Sequence, residues 1–266
     1  MARRIITLTT DFGLSDAYVG IMKGVILSLA PDVQLVDISH LIPPQNVPQA
    51  AYLLVSLYAY FPANAIHLAV VDPGVGTARR PVAIQSPHGA FVGPDNGLFV
   101  PVLAAQGVVD AKTGAVGGTE VVALTNPEYW RHPVSRTFHG RDIFSPAAAH
   151  LALGEPLSML GEPVSSLTPL PGAVPTVRKG VVYGSIAHID HFGNAVSNIS
   201  SPMVPEEPVV EVGGRKLRGL CASYQDSPIA ALIGSNGFLE IAVRNGSAAV
   251  QLGLSIGSPV VVRSGG

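Results

Sequence analysis

The chain of 266 residues is short of cysteine, of charge and of long apolar runs, and each shortage closes off a class of proteins. Its single cysteine, Cys221, excludes an intrachain disulfide and any cysteine-rich metal site, and leaves a small core residue as its ordinary role. Charged residues make up 13%, about half the roughly 25% of a typical globular chain, and the formal net charge is −2. No basic run exceeds "ARR", so the electrostatic footprint of a nucleic-acid-binding protein is missing. No window approaches ~18 uninterrupted apolar residues, so no membrane-spanning helix is expected. The short mixed run ahead of Asp11 is too brief for a signal peptide, and the expected setting is cytoplasmic.

What is plentiful is apolar residues (47%), glycine (29) and proline (23). So little charge cannot comfortably cover an isolated monomer of this length, and substantial subunit interfaces are expected. Along the first part, "RIITLTTDFG", "VQLVDIS" and "AIHLAVVD" read as strands. "DAYVGIMKGVILSLA" and "NVPQAAYLLVSLYAYF" lie between them with helical spacing. This alternation predicts an α/β N-terminal domain with a mostly parallel sheet, residues 1–164. "PVAIQS" and "GAFVGPDNGLF" look like a hairpin, and "IFSPAAAHLALG" like a helix stopped by Gly154. Residues 165–179, with three prolines, read as a linker. Residues 180–266 carry short apolar or alternating segments between Gly, Asn and Pro turns, the texture of a smaller all-β C-terminal domain, a barrel or sandwich.

Polar residues fall where the strands end: Asp11, Asp37 with His40, and Asp72. In open α/β sheets ligands sit beyond the carboxyl ends of the strands. In "AVVDPGVGTARR" a carboxylate follows an apolar run, a glycine-rich turn lets the backbone approach a ligand, and Arg79 stands seven residues on. Taken alone, Asp72 is equally a turn-starting residue with a structural arginine partner. A phosphate cradle is excluded, because neither the Walker lysine nor GxGxxG before a helix is present. "TFHGRD" sets His139, Arg141 and Asp142 ahead of a helix, where a histidine is either structural or poised for proton transfer. The other histidines show no metal pattern: HExxH is absent, and "HIDH" points two imidazoles to opposite faces of a strand. "IDHFGNAVSN" is a turn-rich stretch that also holds Asp190, Phe192 and Asn194, an aromatic face beside amides, as a flat heterocycle requires.

Together, "TLTTDFGLSDAYVG", "VDISH", "FPANAIHLAVVDPGVGTARR", "VGPDNGLF", "TFHGRDIFSPAAAHLALG" and "HIDHFGNAVSNI" resemble the S-adenosylmethionine hydrolases, or hydroxide adenosyltransferases, relatives of the fluorinases and chlorinases. The resemblance implies an α/β domain followed by a C-terminal β-barrel. It implies a homotrimer binding S-adenosyl-L-methionine between one subunit's N-terminal domain and its neighbour's C-terminal domain. It implies an Asp–Arg–His set around the attacking water, which lands on Asp72, Arg79 and His139; Arg80 is discarded on spacing. No metal and no cofactor are implied, S-adenosyl-L-methionine being the substrate. Asp11 matches the aspartate that holds the ribose hydroxyls, and Phe138 a pocket aromatic. Asp190, Phe192 and Asn194 match residues near the methionine or adenosine end. Residues 245–248, with Ser247 and Ala248, resemble the adenine-reading loop. Gln45 stands where the fluorinase has tryptophan, Asp72 where it has tyrosine, and Gly140 where it presents a serine. The last two departures favour water over halide as the nucleophile. A halogenase of the same fold and a non-catalytic S-adenosylmethionine-binding protein are the alternatives.

Overall fold

In the computed structural model, which describes residues 3–265, the chain divides into two compact units, Met1–Leu170 and Pro171–Gly266. The first is built on a seven-stranded sheet: β1 (Ile5–Thr10), β2 (Gln34–Ser39), β3 (Ile66–Val70), β4 (Pro81–Ser86), β5 (Gly89–Pro94), β6 (Glu120–Ala123) and β7 (Glu162–Pro163), in the order β2-β1-β3-β5-β4-β6-β7. β1 and β3 are buried almost throughout, as central strands covered on both faces have to be. Helices α1 (Tyr18–Leu29), α2 (Val47–Leu57), α3 (Val100–Ala105) and α4 (Ser145–Leu153) complete the unit. Asn46 caps α2 by accepting a hydrogen bond from the Gln49 N–H, and Gly154 ends α4 in the left-handed conformation with φ of 97°.

The expectation of a mostly parallel sheet holds for one half only. β2, β1, β3 and β5 pair in parallel, whereas β5–β4, β4–β6 and β6–β7 are antiparallel, so the sheet is mixed. The cause is local. β4 and β5 form a tight hairpin whose register closes on Ser86↔Gly89. Gly89, at φ of 119°, lets the turn lie against Ala65, whose carbonyl oxygen would be 2.6 Å from any added Cβ. The parallel half matters for function. Because β2, β1 and β3 are neighbours running the same way, the residues that follow them, His40, Asp11 and Asp72, emerge at one edge of the sheet.

The second unit contains β8 (Thr176–Arg178), β9 (Val181–Ile189), β10 (Ala195–Ser200), β11 (Pro208–Val212), β12 (Arg215–Arg218), β13 (Ile229–Ile233), β14 (Phe238–Val243) and β15 (Pro259–Ser264), with a short helix α5 (Ala248–Gln251). All its pairings are antiparallel, in the order β12-β11-β15-β9-β10-β14-β13, with β8 beside β9. The end strands β12 and β13 approach each other, so the sheet is nearly closed around an Ile, Leu and Val core. The proline-rich stretch between the units is fastened at both ends. Arg80 donates to the Ser166 carbonyl and Asp95 accepts from the Thr168 N–H, while the residues of β8 join the second sheet.

One core residue makes stability acid-sensitive. His67 on β3 is fully buried, stacked on Phe91 at 4.9 Å, edge-on to Phe61, and bonded through Nδ1 to the Thr7 hydroxyl at 2.9 Å. Burial pushes its pKa down to about 4, against the partial opposition of the His88 backbone, which favours the protonated ring as an acceptor. Above about pH 6.5 the ring is neutral in folded and unfolded chains alike. Between pH 6.5 and 4 the unfolded chain takes up the proton and the folded chain does not, so stability falls as pH falls, by about 3 kcal/mol in all. Urea unfolding of the wild type and of His67→Gln at pH 7, 5.5 and 4.5 should show a shallower acid decline in the variant by about that amount; parallel declines would assign the effect elsewhere.

Candidate active site

Asp72 leaves the end of β3 two residues after Val70, and the loop behind it curls through successive turns. The Val75 N–H bonds to the Asp72 carbonyl and the Thr77 N–H to the Gly74 carbonyl, and the Thr77 hydroxyl then takes the Arg79 N–H. This brings Arg79 back onto the aspartate. Arg79 Nε donates to Asp72 Oδ1 at 2.8 Å and Oδ2 at 3.0 Å, and Nη2 donates to Oδ2. Nη2 also donates to His139 Nδ1 at 2.9 Å. The two side chains of the ion pair are only 8% and 5% exposed. Gly76, at φ of 75°, makes the curl possible: a Cβ there would lie 2.3 Å from the Arg136 carbonyl oxygen, in the segment that leads to His139.

The direction of the Arg79–His139 bond fixes a protonation state. A guanidinium has five N–H donors and no acceptor, so His139 Nδ1 offers its lone pair and the neutral ring carries its proton on Nε2. Burial, then the Arg79 charge, lower the His139 pKa, with Asp72 and Asp142 opposing. Nη1 of Arg79, buried and without a hydrogen-bond partner, belongs to a guanidinium stacked 5.1 Å from the Phe144 ring centre. Arg80, set aside on spacing, pairs instead with Asp95.

His139 is placed by a π-helical turn, Gly140–Phe144, that runs into α4. Its anchor is Asp142, fully buried, which accepts from Arg141 Nε at 2.6 Å and from the Ser135 N–H at 2.8 Å, while its carbonyl takes the Arg131 N–H. Burial works to raise the Asp142 carboxyl, but the bonds from Arg141 and Ser135 outweigh it and hold the group below its usual range. In the sequence Asp142 is marked only as a carboxylate flanked by an arginine and an apolar helix, which gives it no part of its own. Beside His139, Phe138 meets Tyr18 and Phe12 edge-on, at 5.2 and 6.0 Å. Asp11 follows β1, and its Oδ2 accepts the Gln45 N–H at 2.7 Å. Asp11, Asp72, Arg79, Phe138 and His139 thus all belong to the first unit.

The remaining candidates lie in the second unit. Asp190 Oδ1 accepts the N–H groups of Phe192 and Asn194, and Oδ2 accepts Asn194 Nδ2 at 2.9 Å, so these two candidates tie each other into one turn. Phe192 projects from that turn, 76% exposed. With Tyr224, Gln225, Arg244 and Asn245 these residues line a cleft of about 540 Å³, within the range of small-molecule sites. Ser247 caps α5 through its hydroxyl, and the Ala248 side chain is buried in the core behind it.

Tyr224 and Glu240 were not read as site residues. Tyr224 Oη donates to Glu240 Oε1 at 2.9 Å, and Gly234 leaves room for that carboxylate, whose Oε2 would be 2.5 Å from an added Cβ. Burial, the Glu240 bond and the nearby negative charges raise the Tyr224 pKa to about 12. Burial and the Asp190 charge raise that of Glu240, with the Tyr224 bond opposing. A lone carboxylate inside the apolar run "GFLEIAV" was the available signal.

Among the described residues, no cluster of three or more His, Cys, Asp or Glu is arranged to hold a metal ion, and no helix is long and apolar enough to cross a membrane. Comparison with known proteins extends the geometry. The model of the SAM hydroxide adenosyltransferase N-terminal domain matches residues 6–161, and that of the C-terminal domain matches residues 184–261. A protein of Salinispora arenicola named (R)-S-adenosyl-L-methionine hydrolase is 37% identical over 98% of each chain. One of the same name from Thermus thermophilus is 41% identical over 97% of this chain and 98% of its own. A crystal structure of an uncharacterized conserved protein from Thermotoga maritima superposes with a TM-score of 0.85 at 33% identity, covering 97% of this chain and 99% of that one. With both family domains matched in order around these two sets of residues, the chain belongs to the SAM hydroxide adenosyltransferase family.

Proposed function

We propose that the chain hydrolyses S-adenosyl-L-methionine to adenosine and L-methionine, and that Asp72, Arg79 and His139 handle the attacking water. The relatives' names support the substrate, and the observation that carries the mechanism is Arg79 Nη2 shared between Asp72 and His139. Water attacks ribose C5′, the O–C5′ bond forms, the C5′–S bond breaks, and its electron pair returns to sulfur. Methionine leaves as a neutral thioether, so no acid is needed. The proton released from water goes to Asp72, whose Oδ1 has one donor and keeps an acceptor position. His139, protonated on Nε2, acts as a donor that orients the water oxygen. Arg79, spent on its two neighbours, holds both in place.

Asp11 grips the ribose 2′,3′-diol with its carboxylate. Phe192 and Tyr224 offer aromatic faces, and Asp190, Asn194 and the 245–248 loop polar groups, to the adenosine or methionine end. The reaction runs without metal or cofactor. The relatives' names specify the (R) form of the substrate, whose sulfonium is stereogenic, and we extend that preference to this chain. A cytoplasmic homotrimer belongs to the same reading, supported by the exposure of Leu14, Tyr18, Ile21 and Leu41 and by the partial set of candidate residues in each unit.

Product analysis of both sulfonium epimers in oxygen-18 water, with excess chelator and with or without halide, tests the reaction. The expected result is adenosine labelled at the 5′-oxygen and unlabelled methionine, formed faster from the (R) epimer. A 5′-halogenated nucleoside would make the chain a halogenase, and binding without turnover would make it a binding protein.

Asp72→Asn and His139→Ala should each lower kcat about 10²-fold or more, while Asp11→Ala should chiefly weaken binding. Protonating His139 at Nδ1 would set two donors face to face and break the Arg79 contact. Because its pKa is lowered, the neutral ring persists below the usual imidazole value, and kcat should stay level as pH falls through about 6.5. An acid limb centred at or above that value would contradict the assignment.

If sites are shared between subunits, mixing Asp72→Asn protein with Asn194→Ala protein after reversible dissociation should restore activity. In a trimer, some Asp72-intact subunits then meet an Asn194-intact neighbour. Activity remaining at the mutant background after confirmed exchange would place each site within one chain.

A further inference from the structure

The end of β1 that carries Asp11 is clasped from β2 by one residue. His40, 4% exposed, follows β2 and bonds through Nδ1 to the Thr10 hydroxyl at 2.8 Å and through Nε2 to Asp37 Oδ1 at 3.0 Å. Its carbonyl takes the N–H of Gly13 at 2.8 Å, where the loop turns through φ of 69°. The Thr10 hydroxyl oxygen in turn accepts the Phe12 N–H at 3.3 Å. Asp11 therefore sits between Thr10 and Phe12, both bonded through the Thr10 hydroxyl that His40 holds, and just before Gly13, which His40 holds directly.

Directions along this chain agree with one another. The Asp37 carboxylate accepts, so His40 Nε2 donates, and Nδ1 pairs with the Thr10 hydroxyl. Thr10 Oγ1 still accepts from Phe12. Lys23 on α1 donates to Asp37 Oδ2 at 2.6 Å and closes the far end. Burial works to raise the Asp37 carboxyl, and the Lys23 and His40 bonds outweigh it and keep it below its usual range. The backbone prepares the clasp: register along β1 passes from Leu8↔Asp37 to Thr9↔Ser39, so β2 carries one extra residue there. Such bulges re-aim the residues that follow them.

We propose that His40 is a positioning residue that fixes the Asp11 carboxylate for the ribose diol, acting through Thr10 and the 11–13 backbone. This rests on the assignment of Asp11 to the diol. Asp11 has a second fastener, the Gln45 N–H, from a residue in the left-handed region at φ of 66°. The two hold different parts of the same carboxylate-bearing turn: Gln45 bonds the side chain and His40 the flanking residues.

The test compares binding of adenosine and of 2′,3′-dideoxyadenosine, which lacks the diol, by calorimetry on the full-length protein. His40→Leu should weaken adenosine about 10-fold or more and leave dideoxyadenosine within about twofold of wild type. His40→Gln, which restores one acceptor and one donor, should recover most of the loss. With S-adenosyl-L-methionine, His40→Leu should raise KM far more than it lowers kcat. If His40→Leu does not fold, Thr10→Val, which removes the hydroxyl at constant shape, should give the same selective loss. Equal weakening of both ligands, or wild-type adenosine binding in His40→Leu and Thr10→Val alongside failure of Asp11→Ala to bind, would overturn the positioning role while sparing the diol assignment. Normal adenosine binding by Asp11→Ala would overturn the diol assignment itself, and the proposal with it.

Discussion

The buried ion pair between Asp72 and Arg79 is the constraint around which the rest of the first unit is arranged. Taking either charge out of water alone would cost on the order of several kcal/mol, so neither residue is tolerable at its position without the other. Their partnership dictates the backbone between them. A strand has to deliver the carboxylate at its end, a tight curl has to return the arginine, and the chain near Arg136 has to pass close enough that residue 76 is a glycine. The same guanidinium then reaches His139, so the position of the imidazole is set by a bond whose other end is already fixed. Phe144 beneath Arg79 and Asp142 within the π-helical turn complete the framework.

This framework suits a reaction whose leaving group needs no help. A sulfonium departs as a neutral thioether, so the polar groups of the site can all serve the nucleophile. Asp72 and Arg79 together are neutral, and the arginine is turned inward, so the pair presents no free cation to attract a halide. At Gly140 an added Cβ would come within 3.2 Å of both Met22 Sδ and the Phe138 ring, so a larger residue there requires its neighbours to shift. The charge balance of the pair thus suits a neutral nucleophile better than an anionic one.

Much of this was legible in the sequence because it depends on local rules. The ends of parallel strands collect polar residues, so the sequence pattern alone puts Asp11, His40 and Asp72 at one edge. The choice of Arg79 over Arg80 was implied by the family resemblance, and the structure gives Arg80 a different partner in Asp95. What the sequence concealed depended on distant contacts. The β4–β5 hairpin was legible, but the antiparallel addition of β6 and β7 beside it was not, since periodicity cannot report which neighbour a strand will choose. The short α3 was hidden in an apolar run around Val100–Ala105. Tyr224 and Glu240 are sixteen residues apart and meet across the second unit, so neither marks the other in the linear text. The tautomer of His139 was equally invisible, since it is decided by which nitrogen faces Arg79.

Arginine itself is the element of this design that admits no close substitute. Three of its N–H groups are committed in two directions: Nε and one Nη2 hydrogen along the carboxylate, the other Nη2 hydrogen towards the imidazole. Those vectors are fixed by the planarity of the guanidinium, and they fix in turn the angle between Asp72 and His139. A lysine could neutralise the aspartate, but a tetrahedral ammonium at the end of a flexible stem has no rigid fork to hold both partners at once. It would also lose the flat face that rests on Phe144. The angle between Asp72 and His139 therefore depends less on the presence of a positive charge than on its shape.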